Sequence, residues 1–279
     1  MRVFGLDFTS APGHRKPITC ACCELDEHTL TIRSCQLFTT FIDFEHFLCQ
    51  DGPWIAALDF PFGQPHKLIV NLHWPQTWEG YVQHIAALGK AGFEESIQRY
   101  RDGREMGDKL HRRVTDIRAG AISPMMLHRI PVGKMFFEGA PRLLATDTSI
   151  LPCRPTASEK IVLEGYPSLV ARKGLGRQSY KSDERKKQTE EHLQARQKLV
   201  GALRSDELLA LYGLKLDLSE AIAAELVGDP MGDKLDAVLC AIQAGWSYMR
   251  RDQGYGIPSF HKLEGWIVDP EMSALHVIR

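Results

Sequence analysis

Three short apolar runs, each closed by a carboxylate and then a turn, constrain this chain most. Val3-Phe4-Gly5-Leu6 ends on Asp7 before Phe8-Thr9-Ser10 and the break at Ala11-Pro12-Gly13. Trp54-Ile55-Ala56-Ala57-Leu58 ends on Asp59 before Phe60-Pro61-Phe62-Gly63, and Ile161-Val162-Leu163 ends on Glu164 before Gly165-Tyr166-Pro167. Each run is too short for a helix and is bounded by turn residues, so each reads as an interior strand delivering an acid to its carboxyl end. Gly5 weakens its strand on its own account, which predicts that a backbone or a ligand comes close to it.

The segments between these runs set a topology. Ile18 to Leu25 and Thr29 to Phe38 read as two strands joined by Asp26-Glu27-His28, making an antiparallel meander with the first. Phe41, Phe44, Phe47 and Leu48 recur at helical spacing, giving a short helix over Ile42 to Cys49 that leads into the strand ending at Asp59. A meander, a crossover helix and a fourth strand beside the first form the core of a ribonuclease-H-like α/β fold, a mixed sheet of antiparallel and parallel strands flanked by helices. The expectation is a single domain over 1–279 with a mostly helical insertion at 61–158.

In that insertion the helical stretches are marked by Trp78, Tyr81, Val82, Ile85 and Leu88, then by Phe93, Ile97 and Tyr100. Arg99, Arg101, Arg104, Lys109, Arg112 and Arg113 interleave with Tyr100 and His111, a composition that suits either a substrate-recognition cap or a solvated helix face. After Glu164, residues Arg172, Lys173, Arg177, Lys181, Arg185, Lys186 and Lys187 read as a basic loop around Tyr180, loosened by Gly174 and Gly176. Helices follow from Asp183 to about Leu203, over Asp206 to Tyr212 and over Ser219 to Val227. The last long helix, about Pro230 to Arg251, carries an apolar stripe (Leu235, Val238, Leu239, Ile242, Trp246) beside a face of small residues (Ala237, Cys240, Ala241, Ala244) able to lie close against a sheet. Asp233 and Asp236 sit on adjacent surface at its N-terminal end, where the helix dipole favours negative charge. Glu264 to Val268 reads as a closing strand or a cover for the core.

Composition excludes some classes. With 34 Lys+Arg against 35 Asp+Glu, no global field advertises a nucleic acid or a membrane, so any basic surface is local. No apolar segment reaches the length of a membrane span, and no charged n-region precedes an apolar h-region. Seven cysteines, an odd number without a CxxC, read as reduced thiols, and the expected location is the cytoplasm. Strand alternation puts the neighbours in Cys20-Ala21-Cys22-Cys23 on opposite faces, which argues against a metal or redox centre there.

Hydrolysis of a phosphodiester at neutral pH needs a hydroxide and a means of spreading negative charge on phosphate, and paired divalent ions supply both. Mg²⁺ or Mn²⁺ would be held by a few carboxylates that leave positions open. Asp7, Asp59, Asp233 and Asp236 fit such a set, with Glu164 in reserve. An Asp after a strand is also a common turn former, and Asp229 or Asp233 could simply cap the last helix. Four converging carboxylates without a cation would raise one another's pKa.

The pieces Gly5-Leu6-Asp7, Leu58-Asp59-Phe60-Pro61-Phe62-Gly63, Glu164-Gly165-Tyr166-Pro167, Ser179-Tyr180-Lys181 and Asp233-Lys234-Leu235-Asp236-Ala237, spread over most of the chain, resemble an uncharacterised family of predicted nucleases with a ribonuclease-H-like fold. The Asp-x-x-Asp-Ala segment is also similar to the last helix of Holliday-junction resolvases. The resemblance implies Asp7 as a bridging metal ligand, Asp59 as the second, and Asp233 and Asp236 as the third and fourth. Thr9, Ser10, Arg112, Arg113, Tyr180, Lys181 and Arg185 are the expected contacts to a nucleic-acid substrate. Two rivals stand beside this. One is an actin- or sugar-kinase-like phosphotransferase or ATPase using Asp7-Phe8-Thr9-Ser10 as a phosphate turn, for which the later turn lacks a second glycine. The other is a non-catalytic nucleic-acid-binding protein gripping phosphates with Arg112, Arg113, Lys181 and Lys186, which has no use for the acids. No Gly-x-Ser-x-Gly or His-Glu-x-x-His occurs, and His73, His84 and His111 read as residues of the insertion rather than ligands.

Overall fold

A computed structural model describes residues 1–182, 184–258 and 262–273. Its centre is a seven-stranded mixed sheet in the order β5-β6-β4-β1-β2-β3-β7. Strands β1 (Arg2–Asp7), β2 (Ile18–Asp26) and β3 (Thr29–Phe38) form the antiparallel meander. Helix α1 (Phe41–Cys49) then carries the chain to β4 (Trp54–Asp59), which lies parallel to β1. Thr40 and Asp43 fix the start of α1 by a reciprocal cap: the Asp43 amide donates to Thr40 Oγ1 at 3.2 Å, and the Thr40 amide donates to Asp43 Oδ2 at 3.0 Å.

Between β4 and the next long strand run α2 (His66–Asn71), α3 (Trp78–Asp102), α4 (Val114–Ala119) and α5 (Val132–Leu144). The two helical stretches read from the sequence are halves of α3, separated by Gly89 at φ +68°. The segment 61–158 is not purely helical. It contributes the two-residue strand β5 (Ser149–Ile150) to the sheet edge, too short to leave a periodic signature. Strand β6 (Lys160–Glu164) adds parallel to β4.

Residues expected as a basic loop after Glu164 begin instead with α6 (Pro167–Leu175), which carries Arg172 and Lys173. Pro167 stands in its first turn, where its missing N–H costs nothing. Helix α7 (Glu190–Leu203) starts seven residues later than the polar pattern suggested, with Thr189 at its N-cap; Asp183 lies outside the described residues. Then come α8 (Asp206–Tyr212), an unanticipated edge strand β7 (Lys215–Asp217) parallel to β3, α9 (Glu220–Gly228), α10 (Asp233–Met249) and α11 (Pro270–Ser273). Glu264 to Val268 serves mainly as a cover, touching the sheet through one parallel bridge from Ile267 to Glu164.

The core lies on both faces of the sheet. On one face α10 packs with α6–α9 over Val3, Ala21, Ile55, Ala57 and Leu163; on the other α1, α2, α3 and α5 cover Phe4, Leu6, Ala56, Leu58 and Val162. Cover on both sides explains why β1 and β4 are continuous apolar runs. Gly5 faces α10, and its expected close neighbour is that helix: a Cβ there would lie 2.0 Å from the Ala237 carbonyl oxygen and 2.1 Å from the Ala241 nitrogen. All seven cysteines are free thiols, and alternation along β2 sends Cys20 and Cys23, three residues apart, into opposite cores. No helix among the described residues is long and apolar enough to cross a membrane.

Candidate metal centre

The close contact at Gly5 sets the site. With α10 seated on β1, its first turn overhangs the carboxyl end of that strand. Asp7, Asp233 and Asp236 then offer carboxylate oxygens within 4.8 Å of one another, all three buried. Gly232, at φ +72°, turns the chain into α10 where a side chain would collide with Lys181. Asp229 does the capping, with Oδ2 accepting the Lys234 amide at 2.9 Å and Oδ1 the Met231 amide at 3.1 Å. Asp233 is therefore free of the capping duty that its position suggested.

Asp59 is the register partner of Asp7 on the neighbouring parallel strand and points to the same face. It flanks the trio without belonging to its tightest grouping. The carboxylate expected as second ligand is thus the outermost of the four.

Glu164 does not join them. Its register partner is Leu58, one position short of Asp59, and in a sheet one position is the opposite face. There it meets Arg113, which donates from Nη2 to Glu164 Oε1 at 2.5 Å and from Nη1 to Oε2 at 2.8 Å. Arg113 Nη2 also donates to Asp116 Oδ1 at 2.7 Å, and the Phe62 amide donates to Glu164 Oε2 at 2.9 Å. Arg113 is only 2 % exposed. Expected as a phosphate contact, it is instead the cation of a closed internal network, and Glu164 is its partner rather than a reserve ligand.

The remaining expected contacts divide. Tyr180 is brought in: its hydroxyl donates to Asp236 Oδ1, and the Lys181 ammonium donates to Asp236 Oδ2. Thr9 and Ser10 stand half-buried in the loop just beyond Asp7, with Thr9 Oγ1 accepting the Ala11 amide at 3.4 Å. Arg112 is exposed, facing outward where Arg113 turns inward. The Arg185 side chain lies outside the described residues. Arg99 and Arg104 pair along their own segment with Glu95 and Asp108, and so read as solvated surface.

Electrostatics register the crowding of the acids. Asp7 is pushed well above the usual carboxylate range, chiefly by burial and further by Asp236, Asp233 and Asp59, against the opposing pull of Lys181. Asp59 is raised to about 7, by its enclosed position first and by Asp236 next. Asp233 rises to about 6, again chiefly through burial. Lys16 lowers both Asp59 and Asp233, and is a site cation that sequence reasoning missed. Its signal was position, a lysine in the loop directly after the first acidic strand end. Even so, Asp7 Oδ2 and Asp233 Oδ1 are buried without any hydrogen-bond donor. Orphaned carboxylate oxygens in an all-oxygen donor set match what a hard divalent ion such as Mg²⁺ or Mn²⁺ requires.

Comparison with protein-family models, with curated proteins and with solved structures finds no match to this chain. Its site is therefore read from its own chemistry.

Proposed function

We propose that this protein is a divalent-metal-dependent nuclease of ribonuclease-H-like architecture, with Asp7, Asp233 and Asp236 holding Mg²⁺ or Mn²⁺ and Asp59 completing the set. The observation that carries the reading is the pair of donorless oxygens, Asp7 Oδ2 and Asp233 Oδ1, inside a cluster of buried acids. Protein interiors rarely tolerate such atoms without a partner, and a cation would remove both the orphaning and the repulsion. The meander, crossover and parallel addition of strands support the same architecture.

Bound metal would supply an activated water and a charge sink for a phosphoryl oxygen. The chain's own groups do the rest. Asp7 and Asp233 would hold the ion through the oxygens no other group claims, while Tyr180 fixes the rotamer of Asp236. Lys181, half-exposed beside Asp236, offers an ammonium to a non-bridging phosphate oxygen.

The phosphotransferase reading loses support at the turn after β6. The Gly165 amide already donates to the Leu58 carbonyl at 2.9 Å and the Tyr166 amide to Gln243 Oε1 at 2.8 Å, so neither is left for a nucleotide phosphate. A non-catalytic phosphate gripper would lose Arg113 to its internal network and keep a carboxylate cluster without use.

Calorimetric titration of Mn²⁺ into wild type and Asp7→Asn, followed by incubation with labelled DNA and RNA, tests the proposal. The expected result is binding and cleavage that both vanish in Asp7→Asn while its circular dichroism is unchanged. Wild-type cleavage by the variant, or no Mn²⁺ binding by the parent, would overturn it.

A further inference from the structure

Two concavities meet at the carboxylate site and differ in chemistry. One, about 310 Å³, runs from Asp59 and Lys181 between Phe60, Pro61, Val132 and Met135, and opens at a rim where Ile122 and Ile130 are 37 % and 59 % exposed. Its polar floor is the Arg113–Glu164–Asp116 network, in which one guanidinium is shared between two carboxylates and all its N–H groups are engaged. The other, about 470 Å³, is a groove along Arg172, Arg177, Gln178 and Ser179 that ends at the same Lys181. Ser168 borders both, and Tyr166, which lines the first, has its ring 5.7 Å from the guanidinium carbon of Arg172 in the second.

A continuous duplex has no use for the first of these. Its bases are stacked inside and it shows a protein mainly phosphates and base edges. An apolar recess beside a phosphate-directed site, bounded by exposed isoleucines that water solvates poorly, fits a flat aromatic group detached from its stack. The basic groove fits the backbone to which that group is attached.

Building on the nuclease reading, we propose that the substrate is single-stranded or locally unpaired nucleic acid, with one unstacked base seated in the Phe60–Ile130 recess and the adjoining backbone lying along the Arg172–Arg177 groove. The hydrogen-bonding groups of the floor are already engaged with one another, which leaves the apolar walls to hold the base, so the recess accepts bases of any identity.

Fluorescence anisotropy in EDTA, where no cleavage occurs, tests this with wild-type protein and short single-stranded oligonucleotides in which one abasic site is moved along the strand. At one position the missing base is expected to weaken binding roughly tenfold or more, the scale of a lost stacking contact, and elsewhere to leave it unchanged. In Ile130→Trp, whose exposed rim position tolerates a larger side chain, that dependence should disappear while Mn²⁺ affinity is retained. A flat abasic scan, equal affinity for blunt duplex, or no binding overturns the proposal. Mn²⁺-dependent hydrolysis of bis(p-nitrophenyl) phosphate, a phosphodiester without a base, separates the two ideas. Hydrolysis with a flat scan removes only the recess, whereas a position-dependent scan without hydrolysis keeps the recess and removes the nuclease.

Discussion

Asp236 and Glu164 show how similar buried carboxylates acquire different tasks from their partners. Tyr180 and Lys181 hold Asp236 from one side and leave it open to Asp7 and Asp233 on the other. Glu164 has both of its oxygens taken by donors from Arg113 and Phe62. Glu164→Gln is therefore expected to bind Mn²⁺ with wild-type affinity, and a calorimetric loss as large as that of Asp7→Asn would restore it to the metal set. Arg113→Met should be the more damaging change. It strands Asp116 and Glu164 as buried acids without their cation, and urea denaturation should show a loss of about 3–5 kcal/mol, the usual cost of removing one partner from a buried ion pair.

At the scale of elements, the decisive contact is α10 on β1. Helix and strand approach so closely because Gly5 has no side chain and Ala237 and Ala241 have small ones. That approach brings the first turn of α10 over Asp7. Gly5→Ala would drive a methyl group into helix backbone, which cannot yield as a flexible side chain does. Overpacking of this kind costs about 1–3 kcal/mol or more. The expected outcome is lower stability together with weakened Mn²⁺ binding, since any retreat of α10 carries Asp233 and Asp236 away from Asp7. Undiminished metal affinity in a destabilised Gly5→Ala protein would show that the acids do not depend on this seam.

For the molecule as a whole, the carboxylate cluster makes stability depend on pH and on metal together. The pKa values of Asp7, Asp59 and Asp233 are raised in the folded state, so between the ordinary carboxylate range and their folded values the folded chain holds more protons than the unfolded one. Stability in EDTA should therefore fall as pH rises from about 4 toward 7, the span set by the unfolded carboxylates and by Asp59 at about 7. Metal acts in the opposite direction. At pH 8 and a hundredfold excess over its Kd, Mn²⁺ should stabilise the fold by about 2.7 kcal/mol, a rise of roughly 5–10 °C in Tm for a chain of this size. Differential scanning fluorimetry across pH, with and without Mn²⁺, measures both. A metal-free Tm that climbs steadily from pH 5 to 7, or a Tm at pH 8 that added Mn²⁺ leaves unchanged, contradicts this expectation.

The sequence by itself determined the sheet order around β1, the helix with a small-residue face, and the four aspartates that end beside one another. Those features are local: period-two and period-3.6 patterns, turn residues and an acid at each strand end. It also carried Gly5 as a sign of close approach, although not the identity of the neighbour. The short strands β5 and β7 were illegible because two or three residues make no period, and α6 was hidden by glycines and basic residues in a segment that read as a loop. Only the tertiary structure separated Glu164 from the aspartates. The two strand ends look alike in one dimension, but the register of β6 against β4 is offset by one position, and in a pleated sheet one position is the other face. Arg113 changed its role for a related reason: which arginine of the Arg112-Arg113 pair turns inward is decided by the buried acids waiting for it, Asp116 three residues away and Glu164 across the fold.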